Sequence, residues 1–214
     1  DMGSLVRLFK TIQPNEVYNL AAQSHVRISF DQPSYTVNTI VNGTLNLLEC
    51  IRLLDNKVKF YQASSSEMFG NSIDEDGFQR ESTPMEPVSP YGCAKLFGYN
   101  IVKNYRHSYN LFLSNGILFN HESPRRGINF VTNKVVNQAV KIKLGLSEKL
   151  ELGNLDASRD WGHAKDYVEA MHLIISHDKP DDFVCSTGKS HTVRELVDYT
   201  CLLYTSPSPR DFTE

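Results

Sequence analysis

Apolar residues recur along this chain with two alternating periods. Leu5, Leu8, Phe9 and Ile12 share one face of a 3.6-residue period, and Pro14 closes the run, which predicts a first helix. EVYNLAA follows with strand character. Val37, Ile40, Val41, Thr44, Leu48 and Ile51 predict a second amphipathic helix, and KVKFYQASS predicts the next strand. Ser89 then offers an N-cap with Pro90 at the first helical position, opening a helix expected to reach Tyr109. LFLSNGILFN reads as a strand, a helix is expected from Asn129, KLELG reads as a strand, and a helix spans Lys165 to Ser176. FVCST is a further strand, and a helix is expected from Thr192. Strands alternating with helices predict an α/β fold, a doubly wound parallel sheet covered on both faces. Ligands of such sheets sit at the carboxyl ends of the strands. Ala63 to Glu67 and Phe119 to Glu122 lie at two such ends. No internal repeat is present.

Composition narrows this picture little. The 214 residues are 40% hydrophobic and 22% charged, which suits one ordinary domain with a small annexe. A formal net charge of -3 argues against a non-specific nucleic-acid binder. Cys50, Cys93, Cys185 and Cys201 are scattered without a CxxC pair, so neither a disulfide framework nor a metal site is expected, and a reducing, cytoplasmic setting is. No apolar run is long enough to cross a membrane, and no signal peptide is evident. The start DMGSLVRLF enters a helix with no preceding strand. From Cys201 the chain turns to Ser, Pro and Arg, and 201–214 reads as an irregular tail.

Two stretches carry candidate chemistry. ASSSEMFG, Ala63 to Gly70, sets three serines and a glutamate at a strand end. Serine followed by glutamate also starts many helices, so this pattern alone leaves a capping role open. SPYGCAK places Tyr91 and Lys95 four apart, on one helical face. A phenol with a pKa of about 10 is a poor base at neutral pH, and a nearby ammonium lowers that value. Tyr-x-x-x-Lys is common by chance. Following a serine-rich strand end in an alternating α/β chain, it is far more specific.

Ser64 to Ser66 with Tyr91-x-x-x-Lys95 resembles the extended short-chain dehydrogenase/reductase superfamily, whose core is a Rossmann-like sheet. NLAAQSHVRISFDQP, GILFNHESPRRG, KLGLSEKLELGNLDASRDWGHAKDYVEAM and FVCSTGKSHTVREL resemble the GDP-mannose 4,6-dehydratase family from Asp1 to Tyr199. The resemblance implies a lyase that turns GDP-mannose into GDP-4-dehydro-6-deoxy-mannose, a precursor of GDP-fucose or GDP-rhamnose, with NADP cycling between oxidised and reduced forms. Ser65, Glu67, Tyr91 and Lys95 match the catalytic positions. The acid at Glu67 separates dehydratases from simple epimerases, and Ser65 stands where threonine is commoner. The resemblance assigns Asp1, Met2, Leu20, Ala21, Ala22, Gln23, Ser24, Tyr35, Lys95, His121 and Arg126 to the cofactor. It assigns Ser66, Asn120, Lys134, Gly153, Arg159 and Arg194 to the sugar nucleotide. It also implies a homo-oligomer, a dimer or tetramer.

Plainer readings stand beside these. LAAQS also suits tight strand–helix packing, His121 a structural histidine, Arg125-Arg126 a solvated turn, Arg159 a surface ion pair and Trp161 packing. The Gly-rich turn that holds a pyrophosphate is absent, as are the basic residues that select NADP over NAD. The expectation is therefore an N-terminally truncated chain. It would have a cofactor domain over 1–120, a sugar-nucleotide region interleaved with it over 121–200, and the tail. Another nucleotide-sugar epimerase or reductase, and a non-catalytic binding module, are the competing readings.

Overall fold

The computed structural model describes residues 1–54 and 57–205. In chain order the elements are α1 (Met2–Ile12), β1 (Glu16–Asn19), α2 (Val26–Asp31), α3 (Pro33–Val37), α4 (Gly43–Leu54), β2 (Lys59–Ser65), α5 (Pro90–Tyr109), β3 (Leu113–Leu118), β4 (Asn120–Glu122), α6 (Val131–Lys143), β5 (Ser158–His163), α7 (Ala164–Ser176), β6 (Asp182–Cys185), β7 (Ser190–Thr192) and α8 (Val193–Thr205). They form two compact units. One comprises Asp1–Phe119 and Lys165–Cys185, the other Asn120–Ala164 and the described residues from Ser186 onward. Residues 165–185, within the 121–200 region expected to interleave with the cofactor domain, fall in the first unit.

The first unit is built on a wholly parallel sheet in the order β1-β2-β3-β6. β2 is buried on both faces from Phe60 to Ser65, and it buries polar Gln62, Ser64 and Ser65 along with Phe60, Tyr61 and Ala63. Phe60 points into a cluster with Phe9, Leu48, Ile51, Val102 and Leu113, beneath α1, α4 and α5. Tyr61 points the other way, against Tyr167, Met171, Ile174 and Ile175 of α7. On the outer side of β6, Val184 N donates to the Glu81 carboxylate at 2.6 Å.

Several expectations change on the structure. The buried face of α1 is Met2, Leu5, Val6 and Phe9, while Leu8 and Ile12 point outward. The single helix expected over Val37 to Ile51 is α3, a π-helical turn at Asn38–Asn42 and then α4. KLELG is not a strand. Its alternation tucks Leu150 and Leu152 partly away, while Lys149 and Glu151 pair in solvent at 2.5 Å. The second unit instead has a three-stranded sheet in the order β4-β5-β7, with β4 and β5 parallel and β5 and β7 antiparallel. α8 carries on through Thr205, so residues 201–205 of the expected irregular tail are helical. The rest of that tail, 206–214, lies outside the described residues.

Candidate active site

β2 ends at Ser65, and the chain turns at once into a short 3₁₀ helix, Ser66–Met68. Ser65 caps that turn, its Oγ accepting from Glu67 N at 3.2 Å. Accepting there leaves the hydroxyl proton available for a ligand oxygen. Ser66 and Glu67 are half-buried, while Met68 and Phe69 anchor the turn in a cluster with Tyr99 and Ile117. Gly70 then adopts a left-handed φ of 60°, and a Cβ there would lie 2.0 Å from the Glu86 carbonyl oxygen. That close approach returns the loop to the start of α5.

The loop is clasped internally. Arg80 pairs with Asp74 at 2.8 Å and Asp76 at 2.5 Å, and Thr83 Oγ1 donates to Asp74 at 2.9 Å. At its end Ser89 caps α5, accepting from Gly92 N at 3.0 Å, with Pro90 in the first turn as the sequence predicts. A Cβ on Gly92 would lie 2.7 Å from the Glu67 carbonyl oxygen. The first turn of α5 therefore rests directly on the Ser-Ser-Glu turn.

Tyr91 and Lys95 are both buried on that helix face. Lys95 Nζ lies 5.7 Å from the Tyr91 ring centre and donates to the Ala63 carbonyl, two residues before Ser65, at 2.8 Å. Burial pushes the Lys95 ammonium down to a pKa of about 8. Ser64 Oγ donates to Asn115 at 3.2 Å on the opposite side of the strand from Ser65. The four residues expected to be catalytic thus converge at the carboxyl end of β2.

The segment after β1 reaches the same neighbourhood. Ala22 packs with Ile40, Tyr91 and Ala94. Ala21 N is held by Asn19 Oδ1 at 3.3 Å, and Gln23 is fixed by His25 and Thr36 at 2.7–3.1 Å. Leu20, Ser24 and Tyr35 remain exposed. Asp1 and Met2 have other engagements. Both Asp1 carboxylate oxygens accept from Ser4 at 2.9 Å as the cap of α1, and Met2 packs in the core against Cys50.

The remaining expected residues all belong to the second unit. Asn120 and His121 lie on β4, in register with Trp161 and Gly162 of β5. Arg126 stacks on Phe130 at 3.7 Å, and its Nε faces Glu122 at 3.3 Å. Arg159 on β5 lies opposite His191, and Arg194 at the start of α8 reaches Asp156 at 3.0 Å. Lys134 and Gly153 are exposed. The sequence reading missed Asp160, a buried carboxylate that gathers Thr187 N, Thr187 Oγ1 and Gly188 N at 2.8–3.1 Å. It ties the loop after β6 to the strand that carries Arg159. An acidic residue followed by the chain's single tryptophan was the available signal.

A parallel sheet whose second strand ends in Ser-Ser-Glu beneath a Tyr-x-x-x-Lys helix is the arrangement of the extended short-chain dehydrogenases/reductases. Comparison with known proteins narrows the class. The profile of the family described as GDP-mannose 4,6 dehydratase matches residues 1–206, and the chain belongs to that family. It is 55% identical over 204 residues to the human GDP-mannose 4,6 dehydratase, covering 94% of this chain and 54% of that one. It is 53% identical to the Yersinia enterocolitica protein of the same name, covering 92% and 53%. Among solved structures, RMD from Pseudomonas aeruginosa complexed with NADPH superposes with a TM-score of 0.88 at 26% identity, covering 97% of this chain and 70% of that one. The chain spans about half the length of the curated relatives it matches. Among the described residues, no helix is long and apolar enough to cross a membrane.

Proposed function

We propose that this chain carries the catalytic groups of a GDP-mannose 4,6-dehydratase, which forms GDP-4-dehydro-6-deoxy-mannose and water from GDP-mannose. The observation that carries the reading is the seating of Glu67. Its backbone carbonyl is pressed against the first turn of α5 at Gly92, the turn that carries Tyr91, so the Ser-Ser-Glu turn and the Tyr-x-x-x-Lys helix are held together. A capping glutamate would need no such partner.

The residues after β1 fit a dinucleotide. Small side chains at Ala21 and Ala22 allow close approach, and Ala22 packs against the cluster that includes Tyr91. Leu20 to Ser24, Tyr35 and Lys95 would hold NADP there; in the second unit, His121 and Arg126 are the residues that the family likeness assigns to the cofactor. Bound NADP would supply the transient oxidation at C4 and the reduction that completes the product. Tyr91 would take the O4 proton, favoured as phenolate by the nearby Lys95 ammonium. Ser65 would orient O4 with the hydroxyl proton that the Glu67 amide leaves available. With a ketone at C4, the C5 proton becomes acidic. Glu67 would remove it and protonate the departing C6 hydroxyl. Each such acid–base group contributes about 10²–10⁴-fold. The family likeness assigns Ser66 of the first unit to the sugar and, within the second unit, Asn120. Lys134, Gly153, Arg159 and Arg194 would receive the GDP moiety, the arginines suiting its diphosphate by their forked donors. Assembly as a homodimer or homotetramer belongs to the same reading, and light scattering on eluted protein checks it.

The test incubates the protein with GDP-mannose and NADP and follows loss of water by mass spectrometry. Glu67→Gln keeps the size of the side chain but cannot accept a proton. Product should fall by about 10²-fold or more, while NADPH absorbance can still form. Tyr91→Phe should give no NADPH at all. In D₂O, C5 should acquire deuterium only when Glu67 is intact. Water release by Glu67→Gln at the unmodified rate would reduce the carboxylate to a helix cap.

A further inference from the structure

The face that α5 lays on the sheet is not purely apolar. At i, i+4, i+7 and i+11 it presents Lys95, Tyr99, Val102 and Arg106, all buried. Three of the four make directed polar bonds. Lys95 is fixed to Ala63 of β2. The Tyr99 carbonyl accepts from Asn115 Nδ2 of β3 at 3.3 Å, and its hydroxyl donates to Asp182 Oδ2 at 3.2 Å. Arg106 donates from Nε to the Leu113 carbonyl at 2.7 Å and from Nη2 to Asp182 Oδ1 at 2.5 Å. Asn115 also donates to Asp182 Oδ1 at 2.8 Å and accepts from Ser64, the neighbour of Ser65. Lys103 completes the surroundings at 3.5 Å from Asp182, and Asp181 lies 3.6 Å from Arg106 in solvent. Burial alone would raise the Asp182 carboxyl, yet the bonds from Arg106 and Asn115 hold it below its ordinary value.

We propose that Asp182 is a positioning residue that, through Arg106 and Asn115, fixes the axial register of α5 on β2 and β3, and hence the placement of Tyr91 and Lys95 over Ser65 to Glu67. Apolar burial is non-directional, so by itself it does not choose between positions of a helix on a sheet one turn, about 5.4 Å, apart. A buried ion pair adds little net stability but is satisfied in only one register. Arg106 lies about 22 Å along the helix from Tyr91, so the cluster acts by placement and touches no reacting atom. The catalytic consequence rests on the dehydratase reading, whereas the register does not.

Lys95 reports the register directly, because it is enclosed only when its amine sits under Ala63. The 214-residue chain is treated briefly with acetic anhydride, and Lys95 acetylation is compared with that of exposed Lys141. Labelling of the buried Cys50 thiol reports global opening. Two variants are used. Arg106→Lys keeps the charge but loses the fork, and Arg106→Met with Asp182→Leu replaces the pair by apolar side chains of similar reach, which buried pairs often tolerate without loss of stability. We expect the double variant to melt below the unmodified chain, because the Tyr99 hydroxyl and Asn115 amide lose Asp182, but with Cys50 still protected and Lys95 labelled on the order of tenfold faster. That factor corresponds to an opening made easier by about 1.4 kcal/mol. Arg106→Lys should fall between. Lys95 protection unchanged in both variants would overturn the proposal. So would Lys95 and Cys50 becoming labelled together, since the cluster would then only stabilise the fold. The same variants should lose kcat with KM unchanged. If the unmodified protein dehydrates nothing, the functional reading fails while the footprint still decides the register.

Discussion

Lys95 is held inside the molecule as a cation whose proton is easier to lose than in water. Its folded pKa of about 8 lies below the ordinary 10.5, and the cause is burial. Between those values the unfolded chain binds the proton and the folded chain does not, so stability rises with pH across this window. Below pH 8 the penalty is fully present, on the order of 3 kcal/mol. Melting curves at pH 7, 9 and 10.5 should show the unmodified protein gaining stability relative to Lys95→Met as pH rises, with a flat difference counting against a buried charged amine. The ammonium is retained despite its cost, as expected where a positive charge is wanted beside a phenol. That Ser65, Glu67, Tyr91 and Lys95 gather at one strand end was legible in the sequence because it follows from short spacings. Asn115, Arg106 and Asp182 were not, because they meet across about seventy positions and no local pattern joins them.

α5 gathers the signals that made its start readable, namely a serine cap, a proline in the first turn and a glycine two positions on. Gly92 is the least obvious of these. An alanine there would place its Cβ 2.7 Å from a backbone oxygen and 2.9 Å from Pro87 Cβ. Neither neighbour can swing away, so Gly92→Ala should cost about 1–3 kcal/mol. Gly43→Ala, where an added Cβ meets nothing within 4 Å, should instead be neutral or stabilising. Thermal melts compare the two directly, and equal effects would remove the close packing of α5 on the Glu67 turn. Periodicity recovered the long elements because burial imposes it on them. It failed for β4, β5 and β7, which are three to six residues long and flanked by polar side chains. It misread KLELG because two leucines can be sheltered without any ladder. The face of α1 was misassigned because Leu8 and Ile12 satisfy the helical period while pointing away from the core.

The parallel sheet and its helical cover followed from the order of elements, and the family from strings that span nearly the whole chain. The sequence reading interleaves 121–200 with the cofactor domain without bounds for the return, and residues 165–185 are the part that returns to the first sheet, with no composition change to mark it. The outer margin of that sheet has a further consequence. β6 is its last strand among those described, and the Val184 amide facing away from β3 is already taken by Glu81. An amide so occupied cannot template a foreign strand, and a carboxylate brought to the margin repels further acidic chains. The clasped loop that packs near the start of α5 at one end is therefore expected to act at the other as a guard against fibrillar self-association. Glu81→Ala should leave the melting temperature within about a degree, as surface substitutions usually do, yet scatter more light on prolonged mild heating. The same protein that keeps its chemistry in place by a few short bonds would, with one of them removed, become sticky at its rim.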